Sequence, residues 1–328
     1  MVSEPVVLGV DVGGTKVEAG AVSGSKVSGA VERPTELESS EALLDGLEAT
    51  VQEVIADLGR PAAIGAGVPS QIEFATGRVM SSVNIPLEGV ALRDELGQRF
   101  GVPAFVDNDG NCAALAEAEL REVRDLVMLT LGTGVGGGVV IGGRIFRGTH
   151  GLGAELGHVT IEKDGPPCPG NCPNRGCLEA LCSGTALERD AADIGKHHPD
   201  SALGRVYAEH GQVRGEDAVE AARAGDRLAR RLFARLAEAL GVGIAGFVNA
   251  FEPEQLVIGG GLSEAADLFL DDAVVEAGVR ALPVLWERVT VSVAQSGADA
   301  GVIGAGLLAR HELRGTRDTP EKAKEGAR

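Results

Sequence analysis

Val6-Val7-Leu8-Gly9-Val10-Asp11-Val12-Gly13-Gly14-Thr15-Lys16-Val17-Glu18-Ala19-Gly20-Ala21-Val22 is an apolar run, a glycine turn and a second apolar run. Short buried strands read this way, with Asp11 to Thr15 forming the turn between them. The same device returns as Leu126-Val127-Met128-Leu129-Thr130, then Leu131-Gly132-Thr133-Gly134-Val135-Gly136-Gly137-Gly138, then Val139-Val140-Ile141. Glycine lets backbone N–H groups approach phosphate oxygens closely, so two such turns facing each other can hold a polyphosphate. The doubling points to phosphoryl transfer by a protein with two related lobes.

Bulk properties agree. A chain of 328 residues is long for one core, which favours two lobes, and 48 glycines suit an α/β protein with many tight connections. Aromatic residues are only 3%, so platforms for stacking single-stranded nucleic acid are scarce. The net charge of −18 argues against nucleic acid or an anionic membrane as a main partner, since both require a basic face. Met1-Val2-Ser3-Glu4-Pro5 lacks a basic, apolar leader, and no run of about 18 apolar residues suggests a membrane span. Four of the five cysteines fall within residues 168–182, which fits a metal site in a reducing compartment better than a disulfide framework. A cytoplasmic protein is expected. The tail after Arg314 reads as a solvated end.

Leu43, Leu44, Leu47, Val51, Val54, Ile55 and Leu58 predict one apolar helical face over residues 41–58. Residues 63–69 read as a strand leaving into a loop. Residues 104–111 read as a strand ending in the polar cluster Asp107-Asn108-Asp109-Gly110-Asn111, with an alanine-rich helix over 112–120 after it. In α/β sheets such residues at a strand's carboxyl end line the ligand crevice. Leu228, Leu232, Leu236, Leu240 and Ile244 recur four apart and predict the longest helix, over 226–251, which Pro253 stops. Residues 255–258 form a strand entering Gly259-Gly260-Gly261, and a last strand over 289–293 precedes a glycine-spaced helix over 301–308. The expected lobes are residues 1–107, joined by a returning helix of about 301–328, and a larger lobe of residues 108–300 carrying the cysteine loop.

Gly132-x-Gly134-x-x-Gly137 matches the dinucleotide fingerprint in letters, but β-type residues follow where that fingerprint needs a helix. No Walker A lysine pattern is present. Asp11 can cap a turn or face magnesium beside phosphates, and its pairing with a second glycine hairpin favours the latter. Lys16 fits a phosphate contact or a solvated charge at a strand edge equally well. Asn108-Asp109 fits a helix N-cap, yet phosphoryl transfer also needs a carboxylate to take a proton from the attacking hydroxyl. Asp109 is the choice over Asp107, with Asn108 bonding the substrate. His158, Cys168, Cys172 and Cys177 offer one imidazole and three thiolates, a complete tetrahedral shell for structural Zn2+. Free buried cysteines, or a redox pair using Cys182, are the alternatives. Cys112 reads as a small core residue.

Taken in order, Asp11-Val12-Gly13-Gly14-Thr15-Lys16, Asn108-Asp109 with Asn111, the glycine run 131–138, Glu155-Leu156-Gly157-His158, Gly176-Cys177-Leu178-Glu179 and Ile258-Gly259-Gly260-Gly261 resemble the ROK family of sugar kinases. That family lies within the actin/hexokinase-like ATPase superfamily, and the match spans nearly the whole chain. The resemblance implies an α/β fold of two RNase H-like lobes, with ATP and sugar in a central cleft. By similarity Asp109 is the general base, while Asn84, Asn108, Glu155, His158 and Glu179 grip ring hydroxyls. Gly132, Thr133 and Gly134 join Asp11, Gly13, Gly14, Thr15 and Lys16 around the phosphates, and Gly259 and Gly260 line the adenosine. Zinc on His158 and the cysteines would fix the loop presenting Glu155 and Glu179.

Two departures stand out. The gap Cys168-Pro169-Gly170-Asn171-Cys172 is longer than the family's usual Cys-x-Cys, and Leu87-Glu88 follow Pro86 where Gly-Trp is common. The expected activity is ATP- and Mg2+-dependent phosphorylation of a hexose, glucose foremost, by a homodimer or higher homo-oligomer. The alternatives are a kinase for N-acetylmannosamine, N-acetylglucosamine or another hexose, and a sugar-sensing regulator without catalysis. The regulators' N-terminal helix-turn-helix has no counterpart ahead of the first strand at about Val6, and Asp109 is kept.

Overall fold

The computed structural model describes residues 5–318. Two compact units divide the chain, one of residues 1–124, 138–154 and 295–328, the other of residues 125–137 and 155–294. The first therefore extends past the 1–107 expected from the sequence. Its start, Met1 to Glu4, and the polar tail Thr319 to Lys324 lie outside the described residues.

In the first unit β1 (Val7–Val12), β2 (Lys16–Ser23), β3 (Lys26–Pro34), β4 (Ala63–Val68) and β7 (Ala104–Asn108) form a sheet ordered β3-β2-β1-β4-β7. β1 and β2 pair antiparallel around the predicted glycine turn, whereas β1, β4 and β7 run parallel. β5 (Ser70–Glu73) and β6 (Arg78–Ser82) make a separate hairpin. Alternation along β1 divides its side chains between two layers, as a pleated strand requires. Leu8, Val10 and Val12 join the core formed with α1 (Ser40–Leu58), while Val7 packs with Val302 and Ala309. The latter belong to α11 (Ala300–Asp318), which continues the glycine-spaced helix well beyond Leu308 and past Arg314. The helix lies almost backbone to backbone on the sheet. A Cβ built on Gly9 would sit 1.9 Å from the Val302 carbonyl oxygen, and one on Gly65 1.8 Å from that of Ala305. α2 (Leu92–Phe100) and α3 (Asp109–Leu120) complete this unit, and α3 packs along α11.

β8 (Leu126–Leu131), β9 (Val135–Ile141), β10 (Arg144–Ile145), β11 (Gln255–Gly259) and β12 (Thr290–Val293) give a second sheet ordered β10-β9-β8-β11-β12. In chain order both sheets run third-second-first-fourth-fifth, so the repeated strand-turn-strand device is the start of a repeated sheet.

In the second unit α4 (Leu178–Cys182), α5 (Gly184–His197), α6 (Ala202–His210) and α7 (Gly215–Arg223) precede α8 (Arg227–Phe251), followed by α9 (Leu270–Arg280) and α10 (Pro283–Trp286). Asp226 caps α8 by accepting from the Leu228 and Ala229 amides. Among the described residues α8 alone is long and apolar enough to cross a membrane, yet 61% of its most apolar stretch is buried against its neighbours, as in a core helix.

Candidate active site

The β1–β2 turn is held by its own backbone and by one outside residue. The Gly13 amide donates to the Lys16 carbonyl at 2.8 Å. Thr35 donates its hydroxyl to the Gly13 carbonyl at 2.7 Å and its amide to that of Thr15 at 3.0 Å. Exposed Asn84 stands beside this turn, since a Cβ built on Gly14 would lie 3.9 Å from the Asn84 Cβ. Asp11 is the last residue but one of β1. Burial, then the charges of Asp109 and Glu18, push its carboxyl up to about 6, with Lys16 opposing. Lys16 itself is held by two carboxylates, Glu18 at 3.0 Å and Glu32 at 2.7 Å, which raise its ammonium above the usual range.

Three polar residues at the end of β7 divide their work. Asp107 is 1% exposed and fully engaged. It accepts from Arg147 Nε at 2.5 Å, from Asn111 Nδ2 at 2.8 Å and from the Asn108 amide at 2.8 Å. Arg147 is in turn stacked over Phe74 at 3.6 Å and paired with Glu312 at 3.1 Å. Asn108 is the N-cap of α3, its Oδ1 accepting from the Gly110 and Asn111 amides, and its Nδ2 donates to the Ser70 carbonyl at 3.3 Å. The helix therefore starts at Asp109, three residues before the alanine run that predicted it. Asp109 accepts from the Gly110 amide at 2.8 Å. Burial pushes its carboxyl up, while hydrogen bonds from Gly110 and Asn108 pull the other way. Of the two acids, Asp107 is ion-paired with Arg147, while among the described residues Asp109 has no ion-pair partner.

In the second unit the β8–β9 turn closes with the Gly132 amide donating to the Gly134 carbonyl at 2.9 Å. The N-terminus of α5 braces it. The Gly184 amide donates to the Gly132 carbonyl at 2.7 Å, and Thr185 Oγ1 to that of Thr133 at 2.8 Å. This turn forms one wall of a cavity of about 1030 Å³ whose lining includes Gly132, Thr133, Thr185, Arg214, Arg223 and Gly261. On the other side of the turn Glu179 Oε2 accepts the Val135 amide at 2.8 Å. A Cβ on Gly134 would lie 2.4 Å from that oxygen, so glycine is what admits the carboxylate.

His158, Cys168, Cys172 and Cys177 bring four ligand atoms within 4.8 Å of one another. His158 Nδ1 is 3.4 Å from Cys168 Sγ, and Cys168 Sγ is 3.8 Å from Glu179 Oε1. Burial, then the neighbouring sulfurs, push the Cys168 thiol up. Three thiols and an imidazole so gathered match the donor set of a structural Zn2+ site, and the longer first gap still brings Cys168 into the group. Cys182 stands apart, buried with its sulfur against the Leu236 carbonyl.

The sequence model of the ROK family matches residues 7–312. The chain belongs to the ROK family. A relative, the glucokinase of Halalkalibacterium halodurans, is 36% identical over 315 residues, covering 93% of this chain and 95% of the relative. The crystal structure of the ROK hexokinase from Thermus thermophilus superposes with a TM-score of 0.80 at 35% identity, over 94% of this chain and 99% of that one. A ROK family glucokinase from Streptomyces griseus, in complex with glucose and AMPPNP, does so with a TM-score of 0.75 at 32% identity, over 93% and 99%. The fold is accordingly actin/hexokinase-like.

For this ROK chain some expected residues fall differently from the sequence reading. Asn108 spends its Oδ1 on the α3 cap, and Lys16 has two carboxylate partners on its own sheet. Gly259 is buried at the end of β11 and Gly260 makes a turn at φ +82°, leaving Gly261 to reach the cavity wall. Thr185, Arg214 and Arg223 were not anticipated. They sit on or beside α5 and α7, short helices whose large apolar side chains are few, Leu187 and Ile194 on the first and Val219 on the second. Glu155 precedes a short 3-10 turn, Leu156–His158, next to Ala154 at φ +64°.

Proposed function

We propose that this ROK-family protein is an ATP-dependent hexose kinase that converts glucose to glucose 6-phosphate. The observation that carries the chemistry is the division of labour at the end of β7, where Asp107 is neutralised by Arg147 and Asp109 is buried with its basicity raised. Asp109 takes the proton of the attacking hydroxyl, the hydroxyl oxygen forms its bond to the γ-phosphorus, and the bond from that phosphorus to the β–γ bridging oxygen breaks to release ADP. The relatives' glucokinase activity and the glucose and AMPPNP bound in the Streptomyces griseus enzyme support glucose and ATP as substrates.

In the first unit Asn84 and the Nδ2 side of Asn108 serve the sugar, and Gly13, Gly14 and Thr15 present backbone N–H groups to phosphate oxygens. Asp11 faces the magnesium-bearing phosphates. Mg2+, when bound, neutralises charge on those phosphates. In the second unit Glu155, Glu179 and the Nε2 of His158 serve ring hydroxyls, while Gly132, Thr133 and Gly134 line the phosphates. The adenosine occupies the cavity beside Thr185, Arg214 and Gly261. Zn2+, held by His158 Nδ1, Cys168, Cys172 and Cys177, would lock the loop that ends in Glu179. Use of ATP fits a cytoplasmic setting. Self-association into a homodimer belongs to the same reading and rests on the family resemblance, with light scattering as its test.

A coupled assay of ADP release over a panel of hexoses tests the function. Turnover highest with glucose and dependent on Mg2+ is expected. ADP release that no hexose stimulates would remove the kinase reading.

A further inference from the structure

Asp11 is the last residue but one of a buried strand, and among the described residues no donor hydrogen-bonds its carboxylate. Its direction is set by shape. Alternation along β1 turns Gly9 and Asp11 to the side occupied by α11, where Gly9 meets Val302 and Asp11 meets the first turn at Gly301. A Cβ built on Gly301 would lie 2.2 Å from Asp11 Cγ, 2.3 Å from Oδ2 and 2.7 Å from Oδ1. Position 301 has room for hydrogen alone, and what fills the rest is a carboxylate.

Neighbouring glycines of the same helix face scaffold instead. A Cβ on Gly304 would lie 1.8 Å from the Cys112 carbonyl oxygen, and one on Gly306 would strike the Val22 side chain at 2.4 Å. The segment leading into α11 is also fixed. Glu117, a fully buried side chain on α3, accepts from the Gln295 amide at 2.7 Å, the Ser296 amide at 2.6 Å and the Ser296 hydroxyl at 2.5 Å. Arg121 balances its charge at 2.7 Å. The helix start is therefore a rigid backstop with a notch cut for one functional group.

We infer that Gly301 is a positioning residue for phosphoryl transfer, its missing side chain giving the Asp11 carboxylate its place, with Glu117 holding that turn in register. The inference rests on the proposed role of Asp11 beside the metal-bearing phosphates.

Gly301→Ala, Asp11→Ala and their double variant test it in the full-length enzyme. Displacing a reacting constellation by about 1 Å can cost up to about 100-fold, so Gly301→Ala is expected to lower kcat by about 10- to 100-fold. The free Mg2+ needed for half-maximal rate should rise several-fold, while KM for glucose and Tm stay close to those of the parent. In the Asp11→Ala background the same substitution should change kcat by less than about two-fold, because the group it displaces is gone. A Gly301→Ala enzyme within about three-fold of the parent kcat, or an equal loss in both backgrounds, overturns the inference. If Gly301→Ala alone fails to fold, the double variant decides. Recovery of soluble enzyme supports a clash with Asp11, and failure of both overturns it. A parent-like rate in Asp11→Ala alone would instead remove the role of Asp11, and the inference with it.

Discussion

The β1–β2 turn lies between Asp11-Val12 and Lys16, whereas the β8–β9 turn lies between Thr130-Leu131 and Val135. Both present glycine backbone at a turn, and both start sheets of the same strand order. The first keeps its charge on its own strands and borrows only Thr35 as a pin. The second has no charge of its own and takes a carboxylate from elsewhere, Glu179, on the amide of Val135. Duplication thus supplied the cradle twice, and the electrostatics were assigned separately. In the proposed function the first turn would serve the metal-bearing end of the phosphates. The second is tied to the cysteine loop, because Glu179 lies two residues after Cys177.

The largest expected effect lies at neither hairpin. Asp109→Asn should lower kcat by about 1,000-fold or more, the scale of a lost general base, while calorimetric glucose affinity stays near that of the parent. A variant within ten-fold of the parent rate would take the proton away from Asp109. Next, Cys172→Ala should abolish zinc in elemental analysis, lower Tm, and raise KM for glucose through a loosened Glu179. Unchanged metal content would break the link drawn between the second hairpin and the loop.

The first hairpin carries the pH dependence. The Asp11 carboxyl sits at about 6 against an ordinary 3.8, so it turns neutral as pH falls through 6. kcat/KM for ATP should then fall on the acid side, and the limb should move in Asp11→Asn. The sign for stability is the reverse. Ionising this group costs more folded than unfolded, so its contribution favours the fold below about pH 4 and is lost as pH rises through 6. The smallest effect is expected at Lys16→Ala, within about three-fold on KM for ATP, since that charge is already shared by Glu18 and Glu32. A ten-fold rise would return Lys16 to the phosphates and sharpen the contrast between the hairpins.

Much of this was legible beforehand. Continuous apolar runs around glycine turns located β1, β2, β8 and β9, and leucines four apart located α8 within a residue. The cysteine spacing foretold a cluster that the structure gathers within 4.8 Å. What escaped depends on pairing across the chain. Lys16 meets Glu32 only through the register of β2 on β3, a strand without a clear apolar pattern and mostly exposed. The role of Asp107 required Arg147, forty residues away and brought in by a loop. Asn108 was seen both as a cap and as a sugar contact, and its Oδ1 is taken by the cap. The cavity walls from α5 and α7 went unread because helices of 14 and 9 residues rich in alanine, glycine and charge mark their buried faces mostly with alanine and only a few large apolar side chains.

The pleat of β1 carries one more consequence. Leu8, Val10 and Val12 enter the α1 core while Asp11 faces the other layer. Sliding this strand by a single position would drive an acid among leucines and valines and set a valine against Gly301 in place of the carboxylate. Such a chain would fail to assemble rather than accumulate as an inert look-alike. If Asp11 has the role proposed for it, the residue that serves the phosphates also fixes the register of its own strand.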